Sequence, residues 1–355
     1  MITEEIILLL ISFPFIIGTF LPLSGGKHWL IRGFDFVRIQ SAVILSLTFV
    51  LSFLLISDAS ILVRFIQFAL LLSLVTQIKI ISPYIILKRE KHEHNPDDSE
   101  KLTIISVNVL QSNDCYHKLT AMVKDLQPDI LLTIESNKAW EEAMEEIEVD
   151  YQYNKKVPKE NTYGMHFYTK LKAENIKVHY FLTDERPTIE AHLKDRDGKE
   201  FVFWGVHPPP PSPTEEVTSK KKDGELLSIA KLIRKSETPS LVIGDFNSVC
   251  WSNVSTLFAK TSDLKDARKR RGFFSTFPVK PFFMRFPIDL LYHSEEIKIY
   301  HMNTLPEIGS DHLPLYSEFS VNSSVTEKPK PLKEEEKEEI EELIEESEVA
   351  EKTED

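Results

Sequence analysis

Val242-Ile243-Gly244-Asp245-Phe246-Asn247 decides how this chain is read. A short apolar run of strand character ends on a glycine, then presents a carboxylate and, two residues on, an amide. Five other stretches follow the same plan, each with a polar, metal- or proton-competent group at the end of an apolar run. In chain order with the first they are Ile105-Ser106-Val107-Asn108-Val109, Asp129-Ile130-Leu131-Leu132-Thr133-Ile134-Glu135, Trp204-Gly205-Val206-His207-Pro208, Pro287-Ile288-Asp289-Leu290 and Gly309-Ser310-Asp311-His312-Leu313-Pro314. Each has a plain alternative. Asn108 suits a turn or cap, and Glu135 could open a helix capped by Ser136-Asn137. His207 could be a packed histidine, Gly244-Asp245 a hairpin turn, Asp289 a strand-end cap and Asp311-His312 an exposed pair. Taken together, acids, amides and two histidines placed after buried strands are expected to meet on one rim only where a site exists.

Working outward, strand-like runs span 102–109, 130–134, 163–169, 176–181, 188–193, 201–206, 241–243, 288–292 and 315–319, with helical patterns at 116–126 and 224–235. Many strands with few helices predict a sheet-rich α/β sandwich rather than a doubly wound sheet. Pro208 to Pro211, followed by Ser212-Pro213, reads as a rigid extended loop.

The first 88 residues have another character. Ile6–Leu23, Ile39–Ile56 and Ile61–Ile81 hold no acid, and each is near the roughly 20 apolar residues that a membrane span needs. Three successive runs, after an acidic start at Glu4-Glu5, argue against a cleaved signal peptide and for a membrane anchor. Lys27, Arg32 and Arg38 lie in the first connection, and Lys79, Lys88, Arg89 and Lys91 at or after the third span. The positive-inside rule then puts the C-terminal region in the cytoplasm of an inner or plasma membrane protein. Lys27–Arg38 also has the character of an interfacial helix. Residues 89–100 form a polar linker, 101–321 the α/β domain, and 322–355 an acidic tail, with Ile340, Leu343 and Ile344 as its only apolar cluster, expected to be disordered apart from one transient helix. From Glu327 onward that tail has 14 acids against 5 lysines, most of the chain's net charge of −13, so the acidity says little about what the domain binds. Two cysteines exclude a disulfide framework and a cysteine-based zinc site.

The ordered motif set resembles the endonuclease/exonuclease/phosphatase superfamily over about 101–321. That group includes deoxyribonucleases, apurinic endonucleases, neutral sphingomyelinases and inositol polyphosphate 5-phosphatases. Asp245-Phe246-Asn247 running on to Trp251-Ser252, and Glu185-Arg186-Pro187 before a strand, look most like its bacterial membrane-anchored members. The resemblance implies a four-layer α/β/β/α (DNase-like) sandwich preceded by three transmembrane helices. It implies that Glu135, with Asn108 and Asp311, holds a divalent metal. Asp245 and Asn247 would orient the attacking water, and His312, held by Asp289, would act as general base or phosphate partner. His207 would protonate the leaving oxygen or neutralise charge. Ile288-Asp289-Leu290 departs from the pattern, since many members follow this Asp with histidine or tyrosine.

The expected activity is metal-dependent hydrolysis of phosphodiesters or phosphomonoesters, because phosphoryl transfer needs positioning and positive charge more than covalent help. Oxygen-rich ligands favour Mg2+ or Mn2+. Arg268, Arg270 and Arg271, in the densest basic run, and Arg186 are candidate phosphate grips. The aromatics after that run, Phe273-Phe274 and Phe282-Phe283, could stack on bases or dip into lipid. Substrate therefore divides between nucleic acid and phospholipid. The alternatives outside catalysis are a dead membrane scaffold and a transporter, the latter disfavoured because the spans lack paired acids.

Overall fold

Alternation of apolar residues along each run sets the layers of this protein, and the computed structural model describes residues 2–56, 59–85, 101–325 and 328–353. The chain divides into two compact units: Met1–Leu87 with Pro211–Ser219, and Lys88–Pro210 with Lys220–Asp355. The linker expected at 89–100 lies outside the described residues.

The first unit contains α1 (Ile2–Phe20), α2 (Trp29–Phe36), α3 (Arg38–Leu55) and α4 (Ile61–Ile85). Three segments, Glu4–Ser24, Arg38–Leu55 and Ile61–Ile85, are long and apolar enough to cross a membrane. At 1.5 Å per residue the last two extend about 27 and 38 Å, against a hydrocarbon core of about 30 Å. Leu8, Leu45, Val63, Ile66, Leu70 and Leu74 pack together, while Leu54, Ile61, Phe65 and Phe68 remain exposed, as suits helices solvated by lipid. Arg38 is buried: Nε and Nη2 donate to Asp35 Oδ1 (2.9 and 2.6 Å) and Nη1 to Gln77 Oε1 (3.1 Å). The proline-rich stretch read as a plain loop ends in this unit, where Trp29 N–H donates to the Val217 carbonyl (2.9 Å) and Ser219 N–H to that of Lys27 (2.7 Å).

The second unit runs β1 (Leu102–Asn108), α5 (Tyr116–Leu126), β2 (Ile130–Ile134), α6 (Lys138–Glu148), β3 (Tyr153–Val157), β4 (Met165–Thr169), β5 (Lys172–His179), β6 (Thr188–Lys194) and β7 (Glu200–Val206). It continues with α7 (Lys220–Arg234), β8 (Ser240–Asp245), α8 (Asn253–Ser262), β9 (Lys265–Asp266), β10 (Asp289–His293), β11 (Ile297–Thr304), β12 (Leu315–Val321) and α9 (Glu334–Lys352). Two six-stranded sheets result, ordered β11-β12-β1-β2-β4-β3 and β5-β6-β7-β8-β10-β9. Each has one central parallel pair, β1 with β2 and β7 with β8, flanked by antiparallel strands.

Leu102 and Ile104 of β1, Ile130 and Leu132 of β2, Phe201 and Phe203 of β7, and Leu241 and Ile243 of β8 meet in the core between the sheets. The opposite parity, Ile105, Val107 and Leu131, packs under Leu119 and Val123 of α5 and Trp140, Met144 and Ile147 of α6. On the far side α8 sets Phe258 against Tyr292 of β10, with ring centroids 5.0 Å apart. The architecture is the expected α/β/β/α sandwich.

The acidic tail departs from expectation. It is not disordered between Glu334 and Lys352, which form α9. Ile340 and Leu343 are buried with Leu227 of α7 and Leu257 of α8. The acids answer a basic ridge: Glu341 pairs with Lys231 (2.5 Å), Glu336 with Lys260 (2.7 Å) and Glu351 with Lys221 (3.4 Å).

Candidate active site

Period-two alternation carries the core face of four strands directly into the site. Counting on from Leu102 and Ile104 reaches Asn108, from Leu241 and Ile243 reaches Asp245, from Phe201 and Phe203 reaches His207, and back from Leu291 reaches Asp289. Asn108, His207 and Asp245 sit at or just beyond the C-terminal ends of β1, β7 and β8, and Asp289 pairs directly with Asp245. Gly244 is required at its place, because a Cβ there would lie 2.0 Å from the Val206 carbonyl. Glu135 follows β2 with φ 62° and Asn247 follows Asp245 with φ 48°, left-handed turns that Asn tolerates well and Glu adopts less readily.

These side chains form one hydrogen-bonded group. Asn108 Nδ2 donates to Glu135 Oε1 (2.7 Å) and Asp245 Oδ2 (3.2 Å). The Asn247 amide N–H donates to Asp245 Oδ1 (2.9 Å), and its side chain to the Pro208 carbonyl (3.0 Å). His312 Nδ1 lies 2.8 Å from Asp289 Oδ2, and its Nε2 is 3.6 Å from Asp245 Oδ2. Asp311 is half-buried beside them, with its carbonyl accepting from Val279 N–H (2.8 Å).

Several contributors escaped the sequence reading. Ser310 Oγ donates to the Asn108 carbonyl (2.7 Å) and accepts from His312 N–H (3.0 Å), tying the last loop to β1. Thr276 Oγ1 donates to Asp289 Oδ2 (2.5 Å), and the Phe277 ring packs 4.7 Å from that of His312. Gln111 N–H donates to Glu135 Oε2 (3.3 Å), and the Tyr163 ring lies 5.2 Å from His207. Only Ser310 carried a signal, its place beside Asp311 and His312.

Burial and neighbouring charge set the protonation states. Burial raises the Glu135 and Asp245 carboxyls, against the lowering effect of the Asn108 hydrogen bonds. His312 is buried, which alone would lower it, but Asp289 and Asp245 outweigh that and raise it to about 10. It is an imidazolium at neutral pH. His207 is pushed down to about 3 by burial and then by His312, so it is neutral. A neutral imidazole cannot serve as the charge-neutralising cation that the sequence reading allowed for His207. It cannot protonate a leaving oxygen either; it can donate or accept a hydrogen bond, and its Nδ1 is buried without a protein partner.

Two groups of donors could hold a cation. Asp245, Asp289 and His312 offer ligand atoms within 4.8 Å of one another. His312 and Asp289 are already bonded to each other and Asp289 also to Thr276, so that trio is better read as a charge-paired histidine. Glu135 is the more solvent-accessible carboxylate, and among the described residues it accepts from no cation, only from the neutral donors Asn108 and Gln111, with Asp311 near it. The fit there is chemical: the Asn108 amide bridges the half-buried Glu135 and the buried Asp245 carboxyls, whose ionisation desolvation opposes, and a hard cation with oxygen ligands would relieve that opposition.

Residues 105–312 match the Endonuclease/Exonuclease/phosphatase family. The chain belongs to that family. No curated protein matched by sequence. Among solved structures it is similar to D. rerio TDP2 complexed with single strand DNA product (16% identity, TM-score 0.53, covering 63% of this chain and all of that one). It is also similar to the human Nocturnin catalytic domain (19%, 0.51, 62% and 94%) and to a mannosyl-6-phosphatase of Bacteroides thetaiotaomicron (19%, 0.50, 61% and 99%). At these identities the likeness shows the endonuclease/exonuclease/phosphatase fold alone.

Of the expected phosphate grips, Arg186 lies beside the centre, its guanidinium 5.9 Å from the centroid of the Tyr163 ring that packs on His207, whereas the basic run of Arg268, Arg270 and Arg271 lies away from it. Arg186 is buried, with Nε donating to Glu225 (3.1 Å) and Nη2 to Glu351 of α9 (3.2 Å). Arg268 is fully buried and its Nε donates to the Phe273 carbonyl (3.1 Å), while Arg271 donates to the carbonyls of Ala267 and Ile299 (each 3.1 Å). Arg270 is exposed in the same turn. The turn follows β9, which pairs with Tyr292 and His293, the end of β10 away from Asp289. Charge runs report nothing about their partners, and these partners are main-chain carbonyls.

Proposed function

We propose that this protein is a membrane-anchored hydrolase of phosphate esters that requires a divalent cation, Mg2+ or Mn2+. The observation that carries the reading is His312 held between Asp289 and Asp245, beside the Asn108–Glu135 pair, at the C-terminal ends of parallel strands. Glu135, Asn108 and Asp311 are the residues that would hold the cation. What a bound cation supplies is concentrated positive charge next to the phosphoryl oxygens.

The chain's own groups do the rest. The His312 imidazolium, fixed by Asp289, donates to a phosphoryl oxygen and stabilises charge that grows in the transition state. Asp245, its second oxygen occupied by the Asn247 amide, orients the attacking water and accepts its proton. Asn247 presents its backbone turn to the phosphate. Neutral His207 offers the leaving oxygen a hydrogen bond, with Tyr163 fixing its ring, and the proton that the leaving oxygen needs comes from water. The lysine and arginine bias around the apolar helices supports the cytoplasmic side of an inner or plasma membrane for the domain.

The test uses the full chain in detergent, with bis(p-nitrophenyl) phosphate and p-nitrophenyl phosphate as diester and monoester. Release of p-nitrophenol that needs Mg2+ or Mn2+ and stops with chelator is expected. No release with any divalent cation would favour the scaffold reading.

A further inference from the structure

The last turn of α9 is joined to the active site by a short series of contacts. Glu351 Oε2 accepts from Arg186 Nη2 (3.2 Å), the Arg186 guanidinium lies 5.9 Å from the centroid of the Tyr163 ring, and that ring is 5.2 Å from the ring of His207. Each link depends on the one before it. His207 Nδ1 is buried without a protein partner, so packing orients this imidazole, whereas Asp289 holds His312 by a hydrogen bond at Nδ1. Tyr163 is the aromatic ring packed against His207. A cation over the face of a tyrosine limits how that ring can turn, and Arg186 supplies the cation.

Arg186 in turn needs its acids. It is buried, and a guanidinium taken out of water is costly unless it is paired and hydrogen-bonded. Glu225 accepts from Nε (3.1 Å), yet burial raises that carboxyl to about 7 although Arg186 opposes the rise, so at neutral pH it is only partly ionised. The full countercharge therefore requires Glu351. α9 delivers it: Lys221 stands 3.4 Å from the same carboxylate oxygen, Ile340 and Leu343 are buried against α7 and α8, and Ser347 fits over Gly224. The loop that carries Tyr163 is fastened at the same place, since Asn161 Nδ2 and Lys159 Nζ donate to Glu185 (2.7 and 3.1 Å), next to Arg186. We infer that α9 is a working part of the active site: Glu351 fixes Arg186, Arg186 fixes Tyr163, and the His207 imidazole is thereby aimed at the leaving oxygen. Arg186 and Glu351 are positioning residues that act through His207. The inference rests on the phosphoesterase reading for what His207 does, but not for how its ring is held.

The test uses the full chain in detergent with Mn2+, as wild type, Glu351→Gln, Arg186→Gln and the double variant, on bis(p-nitrophenyl) phosphate and diphenyl phosphate. Phenolate is the more basic leaving group and depends more on the His207 hydrogen bond. Glu351→Gln should lower kcat on diphenyl phosphate about tenfold, the equivalent of one hydrogen bond, and on bis(p-nitrophenyl) phosphate about twofold or less. Adding it to Arg186→Gln should cause no further loss, because one residue acts through the other. Glu348→Gln, an exposed acid one turn earlier on α9, is the control and should match wild type. Equal losses on both esters, no loss on diphenyl phosphate, multiplying losses in the double variant, or as large a loss in Glu348→Gln would each overturn the inference. A second readout needs no turnover. The imidazole Cε1–H NMR signal of His207, identified by its absence in His207→Gln, should move in Glu351→Gln and stay in Glu348→Gln. A moved signal in a chain that hydrolyses neither ester would sink the phosphoesterase reading and leave the positioning standing; an unmoved one overturns the positioning.

Discussion

His312 Nδ1 lies 2.8 Å from Asp289 Oδ2, and the Thr276 hydroxyl donates to that same oxygen. The carboxylate thus has its orientation fixed from one side while it holds the imidazole on the other. With Asp245 at 3.6 Å from Nε2, the ring is flanked by two acids and carries its proton at neutral pH.

Asp289→Asn removes the largest influence raising His312. We expect kcat on bis(p-nitrophenyl) phosphate to fall about 10²–10⁴-fold, the range for a disturbed acid–base group. The alkaline limb of the pH–rate profile moves to lower pH, because the imidazolium now loses its proton sooner. A rate loss with an unmoved profile would show that Asp289 acts by packing alone.

Ser310→Ala takes a donor from the Asn108 carbonyl and an acceptor from His312 N–H. Leaving these buried groups unmatched costs about 1–3 kcal/mol. Thermal unfolding should shift down, and kcat should fall because the His312 loop is no longer tied to β1. A variant with wild-type melting and turnover would remove Ser310 from the account.

How much of this was legible follows from range. Asn108, Glu135, His207, Asp245, Asp289 and His312 all stand at the end of an apolar run, so their convergence could be read from local pattern. Arg186 could not be read that way. Its partners Glu225 and Glu351 are remote in sequence, and only the packing of α7 and α9 brings them in. The same holds for the tail: fourteen acids look like solvated chain until Lys231 and Lys260 face them. Thr276 and Phe277 lacked any signal, because a loop reveals its contacts only after the strands around it are placed. β11 (Ile297–Thr304) lies outside the strand-like runs because only Ile297-Lys298-Ile299 alternates cleanly in sequence, and its pairing with β12 supplies the rest.

Close packing of α9 gives a test of the tail. A Cβ on Gly224 of α7 would lie 2.0 Å from Ser347 Oγ. Gly224→Ala should cost about 1–3 kcal/mol by overpacking and speed proteolysis within 334–352. Adding Ser347→Gly should restore much of the loss. Wild-type resistance in the single variant would contradict the docking of α9.

Two buried histidines should add an acid-sensitive part to the stability of the α/β unit. Burial pushes His166 and His293 down to about 4 in the folded protein, while the unfolded chain protonates near 6.5. Between those values each group binds more protons in the unfolded state, so its contribution to stability falls as pH drops from about 6.5 toward 4, by up to about 1.4 kcal/mol per pH unit. Asp245 and Glu225, whose carboxyls burial raises to about 7, act in the opposite sense over the same window, so the comparison is made between variants. The midpoint of His293→Gln relative to wild type should improve from pH 7 to pH 5. A difference between the two proteins that does not change over that window would contradict the burial argument for His293.

The most direct measurement is steady-state turnover of bis(p-nitrophenyl) phosphate by the full chain beside its Glu135→Gln and His312→Gln variants, in saturating Mn2+. The account predicts a chelator-sensitive wild-type rate and a loss of about 100-fold or more in each variant. Equal rates in all three proteins, or a wild-type rate that chelator leaves untouched, would contradict it.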